Sequence, residues 1–346
     1  MRTIEMRDGV VRMIDQRKLP HEVVIAEMTD YRTVGVAIQE MWIRGAPALG
    51  GAGGFGMALA ALESQATTRQ DFLRDLERAG RELFATRPTA ANLGWAIERV
   101  LKKTRAANLS VRDLRELVIA EAQSIADEDV ALNQRMAEYG ASLINDGDTI
   151  LHHCNTGPLA TVDVGTALGC IIEAHRQGKK IHVLVDETRP RLQGARLTAW
   201  ELMQYGVPMT LIADNASGHY LYRGIANKVF YGADRVAANG DVANKIGSYK
   251  LAVVAHENNV PVYSVMPTST IDMSIATGLD IPIEERGEEE VTTIEGVRVA
   301  PAGVKVGNPA FDVTPNKYLT ALVTERGIVY PPFTENLLRV MDNGEG

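Results

Sequence analysis

In the second half of this chain, short apolar runs alternate with segments of helical periodicity, and this alternation restricts the fold more than any other feature. The runs begin about 20 to 35 residues apart, which leaves room for a helix between neighbours. Segments 166–176 and 197–204 have the apolar spacing of such helices. This order is typical of βαβ units, so we predict a parallel sheet packed against helices. The predicted strands are 149–151, 181–185, 209–212, 228–231 and 260–265.

The preceding part of the chain has a mainly helical pattern. Residues 71–84 place their apolar side chains on one face, as an amphipathic helix does, and residues 90–101 continue in the same way. Ser110 and Asp113 have the spacing of a capping box, which predicts the start of a long helix.

The first thirty residues have a more extended pattern, with strand candidates at 10–14 and 23–26. The change from a helical to an alternating pattern falls near residue 146. We therefore predict an α/β protein with two domains, a mainly helical one over residues 1–145 and a parallel-sheet one over residues 146–346.

Charge and composition exclude several classes of protein. The chain has 36 basic and 44 acidic residues and a net charge of −8, whereas nucleic-acid binders usually carry a basic face, so we expect no nucleic-acid partner. Apolar stretches end before the roughly 18 residues of a membrane span, and the N-terminus lacks an apolar signal core. Cys154 and Cys170 are then expected to be thiols in a reducing cytoplasm. The acidic segment 281–290 is expected to be a solvated surface loop.

Polar and reactive side chains follow the predicted strands at the point where each strand ends. Ligands of an open parallel sheet bind beyond the carboxyl ends of its strands, so these segments predict a functional edge. Cys154 and Asp234 are among them. The segments are 152–157, 186–189, 214–215, 232–235 and 266–269.

Cys154 is the most reactive group at this edge. A thiol just before a helix start is favoured as thiolate by backbone N–H groups, and the following segment 155–157 could hold an anion. The alternative is an ordinary buried thiol, which is the interpretation we adopt for Cys170. We expect no metal site at His152, His153 and Cys154, because adjacent strand residues point to opposite faces and no CxxC or HxxxH partner occurs.

The segment 51–56 fits the pattern GxGxxG but does not follow a strand of a βαβ unit. Its surroundings are helical and rich in small residues, so we interpret it as close helix packing rather than dinucleotide binding. Arg44, just upstream, precedes a predicted helix start at Gly45 and Ala46 and is either an oxyanion-binding residue or an ordinary ion-paired arginine.

Five motifs occur in order along the chain: RGAPALG at 44–50, CNTG at 154–157, DETRP at 186–190 with LQGAR at 192–196, GADRVAANG at 232–240 and NKIG at 244–247. Together they resemble those of the methylthioribose-1-phosphate isomerases, enzymes of methionine salvage, and the resemblance extends over nearly the whole chain. It implies a mostly helical N-terminal domain, a Rossmann-like C-terminal domain, a homodimer, and neither a metal nor a nucleotide cofactor.

The resemblance also implies roles for individual residues. The family's catalytic cysteine falls on Cys154 and its catalytic acid on Asp234. The positions that match its substrate-binding residues are Arg44, Gly45, Ala46, Arg87, Gln193, Asn244 and Lys245.

The implied reaction interconverts an aldose 1-phosphate and a ketose 1-phosphate, so the expected partner is a small sugar phosphate. Our hypothesis is that Asp234, kept protonated by an apolar pocket, donates to the ring oxygen as the C1–O bond breaks. Hydrogen then passes from C2 to C1 as a proton, with Cys154 as the base, or as a hydride, with Cys154 stabilising the cationic carbon. Two alternative functions share the fold: a sister isomerase of 5-deoxyribose 1-phosphate or ribose 1,5-bisphosphate, and a non-catalytic relative of the regulatory subunits of the translation-initiation exchange factor.

Overall fold

The computed structural model describes residues 2–342, whose contacts separate into two compact units. The first unit contains the described residues up to Asn133 together with Gly157–Gly165. The second unit contains Gln134–Thr156 and the described residues from Thr166 onward. The short segment Gly157–Gly165 therefore packs with residues that precede it by more than a hundred positions, as its bond from Thr3 Oγ1 to the Pro158 carbonyl (2.6 Å) illustrates.

The first unit combines a small antiparallel sheet with helices. The strand expected at 10–14 is confirmed, whereas the one expected at 23–26 lies two residues later. The strands are β1 (Ile4–Arg7), β2 (Val10–Ile14) and β3 (Ile25–Met28), in that spatial order. The helices are α1 (Tyr31–Gln39), α2 (Ala46–Glu63), α3 (Arg69–Thr86), α4 (Ala91–Ala106) and α5 (Val111–Ser142), of which α5 continues past Asn133.

Helix starts in this unit follow the capping residues of the sequence. Thr68 Oγ1 accepts the Asp71 N–H at the start of α3, and Ser110 Oγ accepts the Asp113 N–H (3.2 Å) at the start of α5. Each bond pairs one of the N–H groups that a helix start leaves without an intrahelical acceptor. The capping box predicted at Ser110 is thus confirmed.

The glycine-rich segment of α2 is buried in the first unit. A Cβ on Gly53 would lie 2.9 Å from Leu93 Cδ1, and one on Gly56 would lie 2.9 Å from Leu83 Cδ1. Helices that approach this closely need residues without a side chain at the contact. The interpretation of this segment as close helix packing is confirmed.

The second unit is built on a seven-stranded sheet in the order β16-β15-β10-β7-β4-β5-β6, parallel except for β16 against β15. All five predicted strands are present, with bounds that differ by at most two residues. The strands of this sheet are β4 (Thr149–His152), β5 (His182–Asp186), β6 (Met209–Ile212), β7 (Lys228–Gly232), β10 (Val262–Val265), β15 (Ala321–Thr324) and β16 (Gly327–Val329).

Both faces of this sheet are covered, which explains the nearly continuous apolar runs. On β7, Phe230 packs into one apolar cluster, while Val229 and Tyr231 pack into the cluster on the other face. The helices of this unit are α6 (Ala167–Arg176), α7 (Ala199–Tyr205), α8 (Ala216–Tyr222), α9 (Ser248–Glu257), α10 (Glu289–Thr292) and α11 (Phe333–Asp342). No helix among residues 2–342 is long and apolar enough to cross a membrane.

A second sheet of four short strands, in the order β11-β8-β9-β14, was not predicted. Its strand β9 ends in Asn244 and Lys245, and polar residues inside a four-residue strand hide the apolar pattern on which strand prediction depends. Its strands are β8 (Arg235–Ala237), β9 (Val242–Lys245), β11 (Ile271–Asp272) and β14 (Phe311–Thr314), while β12 (Thr293–Ile294) and β13 (Val297–Arg298) pair separately.

Candidate active site

Cys154 lies directly after β4 in a left-handed backbone conformation, with φ +68°, and is only 7% exposed. A residue with a side chain adopts this conformation at a cost of about 1–3 kcal/mol, which surrounding contacts must offset. Its N–H donates to Thr188 Oγ1 (2.9 Å) and its carbonyl accepts from Thr198 Oγ1 (2.7 Å). The thiol is thus presented from a strained and well-anchored backbone, which is typical of functional positions.

The helix start expected immediately after Cys154 is wrong. Pro158–Ala160 forms a single 3₁₀ turn, and the next α-helix, α6, begins only at Ala167. The helix-dipole argument for a thiolate therefore does not apply to this cysteine. In the loop that follows Cys154, Asn155 Nδ2 donates to Thr198 Oγ1 (3.0 Å) and to Glu201 Oε2 (2.5 Å), so this side chain fixes the loop to the segment that contains Thr198 and Glu201.

His153 connects three segments of the second unit. Its Nδ1 lies 2.8 Å from Asp186 Oδ2, and its Nε2 lies 2.9 Å from the Ile246 carbonyl, which fixes Nε2 as a donor. Burial by itself lowers the pKa of His153, but the hydrogen bond to Asp186 and that carboxylate's charge outweigh it, so the pKa is raised. The His153 ring thus ties the end of β4 to the ends of β5 and β9.

His152 faces away from this pair. It is fully buried, and burial lowers its pKa to about 3, so it is neutral. Among the described residues, His153, Asp186 and Asp214 bring possible metal-ligating atoms within 4.8 Å of one another. Asp214 accepts the N–H groups of Thr188 and Arg189 (2.7 Å each), and Asp186 Oδ2 is hydrogen-bonded with His153 Nδ1, while Asp186 Oδ1 has no partner among residues 2–342. Hydrogen bonding accounts for their convergence.

Asp234 precedes β8 and Lys245 ends the antiparallel neighbour β9, so both residues lie at the same end of this strand pair. The Asp234 N–H donates to the Ala243 carbonyl (2.9 Å), and Lys245 Nζ donates to the Ala310 carbonyl (2.8 Å). Burial lowers the pKa of Lys245, while the charges of Cys154 and Asp234 oppose that shift, so both groups lie near enough to Lys245 to act on its charge. The structure therefore brings together the two predicted catalytic residues and one predicted substrate-binding residue.

Asp234 itself is exposed, so the apolar pocket expected around it is wrong for this structure. The residue sits in the turn between β7 and β8, where the chain leaves the large sheet and enters the small one. Burial cannot keep this carboxyl protonated, and any rise in its proton affinity must come from a neighbouring negative charge.

Gln193 and Asn244 complete the predicted positions of the second unit. Gln193 is buried at the start of a π-helical turn, Gly194–Thr198, and its Oε1 has no hydrogen-bond partner among residues 2–342. Such turns are frequent at functional sites, and a buried amide oxygen without a partner accepts a donor from a ligand or water. The turn requires glycine at 194, since a Cβ there would overlap the Asp186 carbonyl. Asn244 Nδ2 donates to Ser248 Oγ (2.8 Å).

The other predicted positions lie in the first unit. Arg44, Gly45 and Ala46 occupy the start of α2, and Arg87 follows the end of α3. Gly45 has φ +95°, and a Cβ there would overlap the Ala160 carbonyl, so only glycine fits. Both arginines are half-buried. Local sequence indicated the Arg44 site, whereas Arg87 was found only through the family motifs.

The acidic loop 281–290 is mostly exposed, as predicted, but Arg286 and Glu290 turn inward. The Arg286 guanidinium lies 5.6 Å from the Phe311 ring centre, and Lys245 Nζ lies 4.5 Å from the same centre. Both loop charges act on the pKa of Lys245, in opposite directions. Periodicity gives no signal for such inward-turned charges in a loop.

A pocket of about 400 Å³ opens beside the His153–Asp186 pair. Arg189, Asp214 and Lys250 line it, together with Ile246 and Gly247. None of the predicted site residues lines this pocket. The candidate site is therefore defined by the cluster around Cys154 and not by this cavity.

Known proteins match this chain along almost its entire length. The model of the initiation factor 2 subunit family matches residues 42–331. The methylthioribose-1-phosphate isomerase of Geobacter metallireducens is 53% identical over 97% of each chain, and that of Desulforamulus reducens is 49% identical over 99% of each chain.

Solved structures superpose on almost the whole chain. The 5-methylthioribose 1-phosphate isomerase of Pyrococcus horikoshii superposes with a TM-score of 0.95 at 48% identity, covering 99% of this chain and 96% of that one. A structure described as translation initiation factor eIF-2B, subunit delta, from A. fulgidus superposes with a TM-score of 0.92 at 45% identity, covering 99% of both chains.

Proposed function

This chain belongs to the methylthioribose-1-phosphate isomerases of the initiation factor 2 subunit family, and from that premise we propose how its residues act on the substrate. The reaction is the conversion of 5-methylthioribose 1-phosphate to 5-methylthioribulose 1-phosphate, an aldose–ketose isomerisation in methionine salvage. The observation that carries our assignment of roles is that Cys154 and Asp234, both at strand ends, act electrostatically on the buried Lys245.

The first chemical step opens the sugar ring. Phosphate on the anomeric oxygen prevents opening by simple loss of a hydroxyl proton, so the C1–ring-oxygen bond must break while the ring oxygen gains a proton. Asp234 is the donor in this proposal. Because it is exposed, the dianionic phosphate of the bound substrate, rather than an apolar pocket, raises its proton affinity.

The second step moves hydrogen from C2 to C1. In the proton route Cys154 removes the C2 proton, a cis-phosphoenolate forms, and the proton returns at C1 while the Asp234 carboxylate left by the first step takes the C2 hydroxyl proton and C2 becomes a carbonyl. In the hydride route the C2 hydrogen moves with its electron pair to the cationic C1, which Cys154 stabilises, and the same carboxylate takes the C2 hydroxyl proton. Cys154 is largely shielded from water, so the positive charge of the Lys245 ammonium stabilises the Cys154 thiolate, which either route uses.

The remaining carried-over residues bind the substrate in this proposal. Arg44 and Arg87 supply guanidinium donors to the phosphate, and the Gly45 and Ala46 N–H groups at the start of α2 add neutral donors. Lys245 uses one of its three N–H donors on the Ala310 carbonyl. Gln193, whose buried Oε1 has no hydrogen-bond partner among the residues that the structure describes, accepts from a sugar hydroxyl, and Asn244 contacts the same sugar.

The reaction in deuterated water tests the roles and the route together. Purified protein is mixed with 5-methylthioribose 1-phosphate, and the ketose is analysed for deuterium at C1. Solvent deuterium there supports the proton route with Cys154 as base, and complete retention of the C2 hydrogen refutes it. Absence of any ketose would favour the regulatory alternative that the A. fulgidus structure's description raises.

We also propose a cytoplasmic homodimer. The edge strand β6 and the helices beside it expose three large apolar side chains, Met203 (69%), Leu211 (45%) and Tyr222 (79%), which a second copy would cover. The two cysteines are free thiols, as a reducing compartment requires. Light scattering on the purified protein tests the dimer, and an introduced Leu211→Glu change should shift it toward monomer.

A further inference from the structure

Two buried threonines hold the backbone of Cys154 from both sides, although they lie 34 and 44 residues further along the chain. We propose that Thr188 and Thr198 are positioning residues that keep Cys154 in its left-handed conformation and so fix the direction of its Sγ. The proposal deepens the catalytic role proposed for Cys154 and rests on it.

Thr188 holds the amide side of Cys154. Its Oγ1 accepts the Cys154 N–H (2.9 Å) and donates to the Asp186 carbonyl (3.1 Å), so the hydroxyl's orientation is fixed. Its own N–H donates to Asp214 Oδ1 (2.7 Å), and the residue is fully buried. The hydroxyl therefore acts as a rigid bridge from the end of β5 to the backbone that carries the thiol.

Thr198 holds the carbonyl side. Its Oγ1 donates to the Cys154 carbonyl (2.7 Å) and accepts from Asn155 Nδ2 (3.0 Å). The residue ends the π-helical turn Gly194–Thr198 and is fully buried. The same turn begins just after Gln193, so one local distortion places both a proposed substrate contact and the anchor of the thiol.

The hydroxyls of Thr188 and Thr198 are important because Cys154 lies beyond the end of β4 and outside its strand pairing. A residue with φ +68° cannot continue the pairing of β4, so the hydroxyls of Thr188 and Thr198 take up its buried N–H and carbonyl instead. Valine has the shape of threonine without the hydroxyl, so Thr188→Val or Thr198→Val would let Cys154 relax toward negative φ. A displacement of the reacting group of about 1 Å can cost on the order of a hundredfold in rate.

The test compares Thr188→Val and Thr198→Val with the serine variants at the same positions. We expect each valine variant to lower kcat about 10- to 100-fold with KM for 5-methylthioribose 1-phosphate changed less than about threefold, because the binding groups are untouched. Each serine variant keeps the hydroxyl and should stay within about threefold of the wild-type kcat. Alkylation of Cys154 by iodoacetamide, followed by peptide mass spectrometry, should be at least about threefold faster in the valine variants because the released loop exposes the thiol.

Thr324→Val is the matched control. Thr324 is fully buried in β15, its Oγ1 donates to the Gly327 carbonyl (3.1 Å) and accepts the Arg326 N–H (3.1 Å), and it has no contact with Cys154 among these bonds. Its variant should keep the wild-type kcat and alkylation rate even if its melting temperature falls. If Thr188→Val does not fold, Thr198→Val decides.

The proposal is overturned if folded valine variants keep the wild-type kcat and alkylation rate, if the serine variants are as slow as the valine variants, or if Thr324→Val loses as much activity. Cys154→Ala in the same assay separates the positioning role of Thr188 and Thr198 from the catalytic role proposed for Cys154. Should Cys154→Ala retain turnover, the catalytic role of the thiol is wrong, and the alkylation rates alone then decide whether the threonines position it.

Discussion

Asp129 in α5 should make this protein less stable as the pH rises from about 4 to 7. Its Oδ2 accepts the Val162 N–H (2.8 Å) and its Oδ1 accepts from Asn133 Nδ2 (3.1 Å). Burial, which exceeds the effect of these two bonds, raises the pKa of Asp129 from 3.8 to about 7, and the charge of Asp163 adds to the rise. The folded protein therefore keeps a proton here that the unfolded chain has already released.

The sign and size of the effect follow from linkage. Below pH 4 the carboxyl is protonated in both states and contributes no difference. Between the unfolded and the folded pKa, the unfolding free energy falls by up to about 1.4 kcal/mol per pH unit, or about 4 kcal/mol over the whole interval. Because the side chain keeps some exposure to solvent, we expect about half of that, near 2 kcal/mol.

Asp129→Asn removes the titration while keeping the size of the side chain. The unfolding free energy of this variant relative to the wild type, from urea denaturation at pH 4.5, 5.5, 6.5 and 7.5, should rise with pH by about 2 kcal/mol in total. Asp127→Asn makes the same change in net charge at an exposed carboxylate two residues earlier, which accepts from Arg2 (2.9 Å), and comparison with it separates the effect of burial at Asp129 from the loss of one negative charge. A constant difference for Asp129→Asn across the four pH values would refute the reasoning.

Three further predictions concern activity. Cys154→Ala and Asp234→Asn should each lower kcat by about 10² to 10⁴ while the melting temperature and phosphate binding stay near those of the wild type, and near-native rates in both variants would refute the proposed mechanism. Arg44→Ala should weaken substrate or product binding by about one to two powers of ten, since a charge-assisted bond to phosphate contributes about 1.5–3 kcal/mol, and calorimetry showing unchanged affinity would remove Arg44 from the site. In competition, 5-methylthioribose 1-phosphate should be preferred over ribose 1,5-bisphosphate by at least about a hundredfold, because Arg286, a further basic residue near Lys245, is already paired with Glu284 (3.2 Å). The rate with 5-deoxyribose 1-phosphate should lie within about 10- to 200-fold of the rate with the methylthio sugar. A preference for the bisphosphate would indicate the sister isomerase.

Five of the seven strands of the large sheet could be predicted because most of them are buried on both faces, whereas β15, β16 and the strand order were not predicted. A strand such as Lys228–Gly232 places Phe230 in one apolar cluster and its neighbours in the other, so almost every residue must be apolar and the run is visible in the sequence. The carboxyl ends of parallel strands meet at one edge, which is why Cys154 and Asp234 could be selected before the fold was known. The names of the relatives confirm the reaction that the ordered motifs suggested.

Several features of the site depend on contacts that local sequence does not encode. The small sheet that carries Lys245 consists of strands of two to four residues, too short for a period to be recognised. The inward turn of Arg286 and the exposure of Asp234 are set by how loops leave that sheet. For Asp234 the expectation of an apolar pocket was wrong, since the residue lies in the turn between two sheets.

By itself, then, the sequence determines the layered α/β architecture, the helix starts at Thr68 and Ser110, and the chemical identity of the reactive groups, because periodicity, capping and residue type are local properties. Only the tertiary structure decides how the thiol is presented. The left-handed backbone of Cys154 is unfavourable on its own and persists because hydroxyls from Thr188 and Thr198, 34 and 44 residues away, pair with its N–H and carbonyl. Such strain can be stabilised only by groups that the folded chain brings together, and no local pattern of residues records it.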